Sequence, residues 1–217
     1  AYIIDRNGAI TNSQNSVITL EDILNTRNSK EEVQTIEDEH REMQLGVPFE
    51  EHTGRTLLNI INMIYSKQNL ITKSLGITGL FMDEAFVKNM NIKKTGTLEE
   101  FHEALTEVGA EGCKGIIFDF EERTLTFKLA IEDLDTDKID AFKELVIQIN
   151  KNAKNLKHTS FKQSQDDNPK YAFRTWLIRL GMNGSKYKVI RKTLLSNLEG
   201  SAAYRKISNE GEVQVNG

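Results

Sequence analysis

Apolar residues recur at helical spacing in the middle of the chain, and this pattern predicts a long core helix that begins at Thr53-Gly54-Arg55. The residues on its apolar face are Leu57, Ile61, Ile64, Ile71 and Leu75. A second helix is predicted after Thr97, because Thr97 and Glu100 have the spacing of a capping box and Gly109 marks the end.

Two segments alternate apolar and polar positions instead, and each predicts a β-hairpin. In the first, residues 2–5 and 9–11 flank Arg6-Asn7-Gly8, where Asn-Gly supplies the positive φ angles of a tight turn. In the second, apolar residues alternate along 116–120 and 125–129 on either side of Glu121 to Arg123.

The segments between these elements are more polar. Thr19 to Asp22 resembles a capping box at the start of a short helix, and Gly46 to Glu50 predicts a short strand. Asn28 to Gln44 is mostly acidic, and we interpret it as either an exposed helix or a mobile connection.

The last third of the chain is predicted to be helical. Asp135 to Leu156 has the three-and-four apolar spacing of a packing seam, which fits either packing on the hairpins or a dimeric coiled coil. Two further helices, Tyr171 to Leu180 and Ser185 to Leu198, are joined by Gly181 to Gly184. We expect Trp176 to be a buried anchor of the first.

These elements predict an α+β fold with two β-hairpins packed with helices, followed by a C-terminal basic helical hairpin. Charge divides the chain further, although its net charge is only −4. Residues 1–150 carry 15 basic and 27 acidic side chains, whereas residues 151–206 carry 13 basic and 3 acidic ones. We therefore predict an acidic domain (1–150), a basic helical module (151–206) and a polar tail (207–217). The basic part is expected either to face a polyanion or to attract the acidic part.

Composition narrows the function classes. Cys113 is the only cysteine, so one chain forms neither a disulfide nor a thiolate zinc cage, which fits a reducing compartment. No apolar run approaches the roughly 20 residues that a membrane helix needs. We expect a cytoplasmic protein that does not enter membranes. Ala1 lies inside a predicted strand, so we expect the natural chain to begin upstream.

Four positions could belong to a catalytic, metal or anion-binding site, and each also has a simpler structural interpretation. His40 lies in an acidic run that fits a solvated face better than a metal site. His52, beside Glu50 and Glu51, could act as a general base, but nothing supplies a nucleophile. Cys113 could be activated by Lys114, although the flanking glycines indicate a turn. Thr53-Gly54-Arg55 could bind an anion, but a plain N-cap suffices. We predict no catalytic residue, metal or cofactor.

The basic helical pair is the strongest candidate site. Arg174 and Arg179 flank the apolar face of its first helix, and Lys186, Lys188 and Lys192 are predicted on the solvent side of the second. Two helices joined by a short glycine-containing turn fit a helix-turn-helix or an ordinary helical hairpin. We predict that these five residues bind DNA or RNA.

Three stretches carry a resemblance to a known family: Tyr171 to Gly184 with its continuation to Gly200, Gly54 to Ser66, and Ile149 to Lys154. Together they resemble the "virulence-related protein" family of phages and conjugative elements of Gram-positive bacteria, over about Gly46 to Arg205. The C-terminal stretch is also similar to segments of amidoligase-like proteins of mobile elements. The resemblance implies a mobile-element protein in a bacterial cytoplasm, with an additional N-terminal segment and no assigned activity.

From the basic module and the resemblance together, we predict a non-enzymatic accessory protein of a mobile element or phage that binds nucleic acid. The alternative is a protein-interaction or counter-defence factor whose acidic N-terminal surface occupies a host protein. A third hypothesis is an enzyme whose site lies in the expected upstream segment.

Overall fold

The computed structural model describes residues 3–4, 10–11, 17–18, 42–49, 51–77, 79, 81–130, 135–163 and 167–205. The chain separates into two compact units, residues 1–39 and residues 40–217. In the first unit the described residues form an antiparallel sheet of three short strands. They are β1 (Ile3–Ile4), β2 (Ile10–Thr11) and β3 (Val17–Ile18). The predicted Asn7-Gly8 turn, the capping box at Thr19 and His40 lie outside the described residues.

The second unit combines a three-stranded antiparallel sheet with six helices in its described residues, and the α+β class is therefore confirmed. The strands are β4 (Glu42–Pro48), β5 (Ile116–Asp119) and β6 (Thr124–Ala130). The helices are α1 (Gly54–Leu75), α2 (Glu84–Ile92), α3 (Leu98–Val108), α4 (Thr136–Asn155), α5 (Pro169–Arg179) and α6 (Lys188–Ser196). No helix of the described ranges is long and apolar enough to cross a membrane.

The sheet has the order β4-β6-β5, with β6 in the centre. Phe127 of β6 lies opposite Leu45 on one side and Ile116 on the other, and the alternating residues Leu125, Phe127 and Leu129 are all buried. Strand β4 begins at Glu42, where we expected an exposed helix or a mobile connection. That expectation is wrong for residues 42–44, because they pair with residues 128–130 of β6.

Helix α1 begins where the sequence predicts. Thr53 is its N-cap and forms a capping box with Thr56. The helix is buried along most of its length, and it fits closely against the start of α3. A Cβ atom added at Gly54 would lie 1.9 Å from the carbonyl oxygen of Thr97. Only glycine therefore fits at this contact without a shift of one helix.

Helix α4 matches its predicted bounds, with Asp135 as N-cap and Leu156 as C-cap. Most of its apolar seam is buried within the chain; for example, the ring of Phe142 packs 6.4 Å from that of Phe127. The seam thus packs internally, as in the first of the two interpretations. Helix α2, capped by Asp83, was not predicted.

Helices α5 and α6 pack against the other helices of the second unit. The hydroxyl of Ser74 at the end of α1 donates to the carbonyl of Leu194, and the Asn197 amide donates to the carbonyl of Ser74. The Gln148 amide of α4 donates to the Tyr187 hydroxyl. These contacts fix α6 on α1 and α4. The division of the chain at residue 150 remains a prediction from charge.

Candidate functional site

An extended segment, residues 156–163, follows α4 and runs along α1, where amide side chains hold it. Asn62 donates to the carbonyl of Thr159 at 3.1 Å, and Asn59 donates to the carbonyl of Leu156 at 2.6 Å. The rings of Tyr65 and Phe161 pack 6.4 Å apart. The segment is thereby held in place by one helix, although it has no secondary structure of its own.

A cavity of about 430 Å³ lies between this segment, α1, the end of α4 and the end of α5. Three cationic side chains line it, one from each of α1, the extended segment and α5. They are Lys67, Lys162 and Arg179. Trp176 and the aliphatic side chains of Met63 and Leu156 form part of the remaining wall. The cavity therefore combines positive charge with an aromatic ring.

Trp176 is half-buried rather than fully buried. The expectation of a buried anchor is therefore wrong, and the wheel of α5 explains why. At about 100° per residue, Trp176 lies about 60° from Phe173, whereas Leu177 and Leu180 lie within about 40° of Phe173. Phe173, Leu177 and Leu180 are buried. Trp176 is left at the edge, where its ring stacks on Phe173 with centroids 5.6 Å apart.

The two predicted arginines of α5 have different surroundings. Arg179 is exposed and lines the cavity, whereas Arg174 is half-buried and does not line it. Neither arginine is in an ion pair within the described part of the chain. The structure thus brings Arg179 together with two cations, Lys67 and Lys162, that sequence reasoning missed. They lie far from α5 in the chain, and no sequence spacing connects them.

The three predicted lysines lie at α6, away from the cavity lining. Lys188 and Lys192 are exposed and one helical turn apart, as predicted. Lys186 lies before the helix, because α6 begins at Lys188 and not at Ser185. Its ammonium group lies 5.1 Å from the centre of the Tyr187 ring, a cation–π contact.

Arg191, the fourth basic residue of this region, has a structural role. Its guanidinium donates to the carbonyl oxygens of Met182 at 2.7 Å and Gly184 at 3.1 Å. These two hydrogen bonds join Arg191 of α6 to the connection between α5 and α6. They also supply the partners that a half-buried guanidinium requires. The charge of Arg191 is therefore directed inward, whereas Lys188 and Lys192 face solvent.

His52 is buried, and its ring partners are not the carboxylates suggested by the sequence. One ring nitrogen lies 2.7 Å from the Asn150 amide oxygen and the other lies 2.9 Å from the Thr56 hydroxyl. The neighbouring Glu51 pairs with Lys154 at 2.8 Å instead. Burial lowers the pKa of His52, and the Asn150 hydrogen bond opposes this only in part. These contacts describe a neutral structural histidine.

Cys113 is buried beside the turn that precedes β5, and burial raises the pKa of its thiol to about 12. The neighbouring Lys114 therefore does not activate it. Across the described ranges, no three His, Cys, Asp or Glu side chains lie close enough together to hold a metal ion.

Comparison with known proteins identifies no relative of this chain. Neither a family model, nor a curated protein, nor a solved structure matches this chain.

Proposed function

We propose that this protein binds nucleic acid through its basic C-terminal helices, as a non-enzymatic accessory protein. The observation that carries the proposal is the charge on α6. Lys188 and Lys192 project from its outer face, Lys186 precedes them, and none of the three is in an ion pair within the described residues. Cations without a carboxylate partner in this described part of the chain are suited to phosphate groups, which supply most of the non-specific affinity for nucleic acid.

The connection between the two helices favours contact with the phosphate backbone over recognition of base edges. It spans residues 180–187, which is longer than the three- or four-residue turn of a helix-turn-helix. We therefore propose that the C-terminal helical hairpin acts as a phosphate-binding surface. Phosphate contacts position a protein on nucleic acid without specifying a sequence.

The cellular setting belongs to the same proposal. The family resemblance of residues 171–200 and the charge pattern support an accessory protein of a phage or conjugative element in the cytoplasm of a bacterial host. DNA and RNA are the partners on which the proposal depends.

The test replaces Lys186, Lys188 and Lys192 with glutamine and measures binding to unrelated DNA and RNA sequences as salt is increased. Each lost phosphate contact should lower the slope of log affinity against log salt by about 0.9 on duplex DNA and about 0.7 on single strands. The triple variant should lose about 2 to 3 units of slope, similarly for every sequence.

A matched control removes three other exposed lysines, Lys94, Lys114 and Lys143, and changes the net charge equally. Its slope should stay close to that of the unmodified protein. If the unmodified protein binds no DNA or RNA at about 50 mM salt, the proposal is wrong. The alternative, an acidic surface that occupies a host protein, would then take its place.

A further inference from the structure

We infer that the cavity beside Trp176 receives a single nucleoside phosphate unit, either free or within a single strand of nucleic acid. The inference deepens the proposed function and rests on it for the choice of partner. It depends on different residues, however, because Lys186, Lys188 and Lys192 do not line the cavity.

The size and walls of the cavity suit a planar, partly apolar group. Its volume of about 430 Å³ falls within the range of about 300–1,000 Å³ that is typical of small-molecule sites. Trp176 offers an indole ring at the rim, where one face is backed by the buried Phe173. A ring that is fixed from behind and reachable from the cavity is suited to stacking with a nucleobase.

Polar groups at the wall are suited to the edge of a base. The Asn152 amide donates its N–H groups to the carbonyls of Gln148 and Leu180. These hydrogen bonds orient the side chain and leave its oxygen as an acceptor. The Ser160 hydroxyl accepts from the backbone N–H of Lys162, so its own proton can be donated. Asn152 and Ser160 both line the cavity, as Trp176 does, and can supply an acceptor and a donor to a base.

The cations supply the complementary contact for phosphate. Lys162 and Arg179 belong to different segments and line the same cavity, and Lys67 approaches from α1. In the described residues neither Lys162 nor Arg179 forms an ion pair. Aromatic stacking next to cations that follow the backbone is how proteins bind single strands with little sequence preference. A base that is stacked and paired within a duplex cannot enter such a cavity without being unstacked.

Tryptophan fluorescence tests this directly, because Trp176 is the only tryptophan of the chain. The probes are adenosine 5′-monophosphate, adenosine, inorganic phosphate, and an oligonucleotide of about 12 nucleotides offered as a single strand or as a duplex. Stacking should quench the emission with adenosine 5′-monophosphate and with the single strand. Adenosine should quench only at higher concentration, inorganic phosphate should not quench, and the duplex should quench less than the single strand.

Two arginines of α5 provide a matched pair of variants. Arg179→Gln should weaken the quenching by the nucleotide and by the single strand, whereas Arg174→Gln should weaken the nucleotide response little, since Arg174 does not line the cavity. Loss of one base stack corresponds to about 5- to 150-fold in affinity. Trp176→Leu should therefore weaken single-strand binding by this factor in an anisotropy assay with labelled oligonucleotide. Trp176→Phe should retain most of it and controls for folding.

The outcomes separate the two proposals. If oligonucleotides bind with the expected salt dependence but Trp176 fluorescence does not change, and Arg179→Gln behaves like Arg174→Gln, the cavity inference is overturned while nucleic-acid binding stands. If no oligonucleotide binds but adenosine 5′-monophosphate still quenches Trp176, the cavity binds free nucleotides and the proposed function fails. Absence of quenching by every probe overturns the inference.

Discussion

Asn59 is expected to be one of the most sensitive polar positions of the protein, because it closes the C-terminal end of α4. The last four carbonyl groups of a helix have no partner within the helix. Asn59, a buried residue of α1, donates to the carbonyl of Ala153 at 3.2 Å and to that of Leu156 at 2.6 Å. Its own side-chain oxygen accepts from the Thr159 hydroxyl at 3.2 Å.

Asn59→Leu keeps a similar side-chain shape but leaves these two carbonyls without their partner. The Thr159 hydroxyl keeps an acceptor, because it also lies 3.3 Å from the backbone carbonyl oxygen of residue 59. A buried polar group that loses its partner costs about 1–3 kcal/mol. The hydrogen bond to Ala153 is buried, whereas the one to Leu156 is only partly buried, so the expected loss in the free energy of unfolding is about 2 kcal/mol. For a chain of this size, that lowers the melting temperature by about 4–8 °C.

Urea and thermal unfolding followed by far-UV circular dichroism would measure the loss. Asn69→Leu is the matched control on the same helix, because Asn69 is exposed and makes only a long hydrogen bond of 3.4 Å to Gln163. It should change stability by less than about 0.5 kcal/mol. If Asn59→Leu is no more destabilising than Asn69→Leu, Asn59 does not cap α4 in the way described.

Two further predictions concern buried titratable groups. Because the pKa of His52 is lowered in the folded protein, only the unfolded chain takes up a proton just below about pH 6.5. Stability should therefore fall as the pH decreases through that value, and His52→Gln should reduce this dependence between about pH 7.5 and about pH 5.5 in urea titrations; an unchanged dependence would contradict the assignment. The Cys113 thiol, with a pKa raised to about 12, should react with a thiol reagent only at the rate of unfolding, and fast labelling of folded protein would contradict its burial.

The parts of the fold that the sequence predicts well are those encoded by neighbouring residues. The capping box of Thr97 with Glu100 is confirmed, because its two hydrogen bonds join residues three apart in the chain. The bounds of α4 were predictable for the same reason, since Asp135 supplies the N-cap and the apolar spacing continues from Ile139 to Leu156. Local chemistry decides such boundaries before tertiary packing acts.

The candidate site was predictable only in part, because it depends on contacts between distant residues. Arg179 was singled out from the sequence, but nothing there connects it with Lys67 or with Lys162 of the extended segment. That segment follows α1 through hydrogen bonds such as Asn62 to Thr159, which join residues 97 positions apart. Strand β4 was placed only roughly for the same reason, since its pairing with β6 decides where it begins.

The long-range contacts of α1 also affect how the chain folds as it is made. The Ser74 hydroxyl donates a hydrogen bond to the carbonyl of Leu194, which lies 120 positions later in the chain. Ribosomes add about 5–20 residues per second, so the partner of Ser74 is synthesised about 6–24 s after it. Helices α2, α3 and α4, which pack on most of the apolar face of α1, are synthesised before Leu194, so only the part of α1 that α5 and α6 cover lacks its partner during that interval. That part is exposed until α6 has been made, and apolar surface exposed during folding favours aggregation. Docking of α5 and α6 on α1 should therefore be the last step in the folding of the second unit.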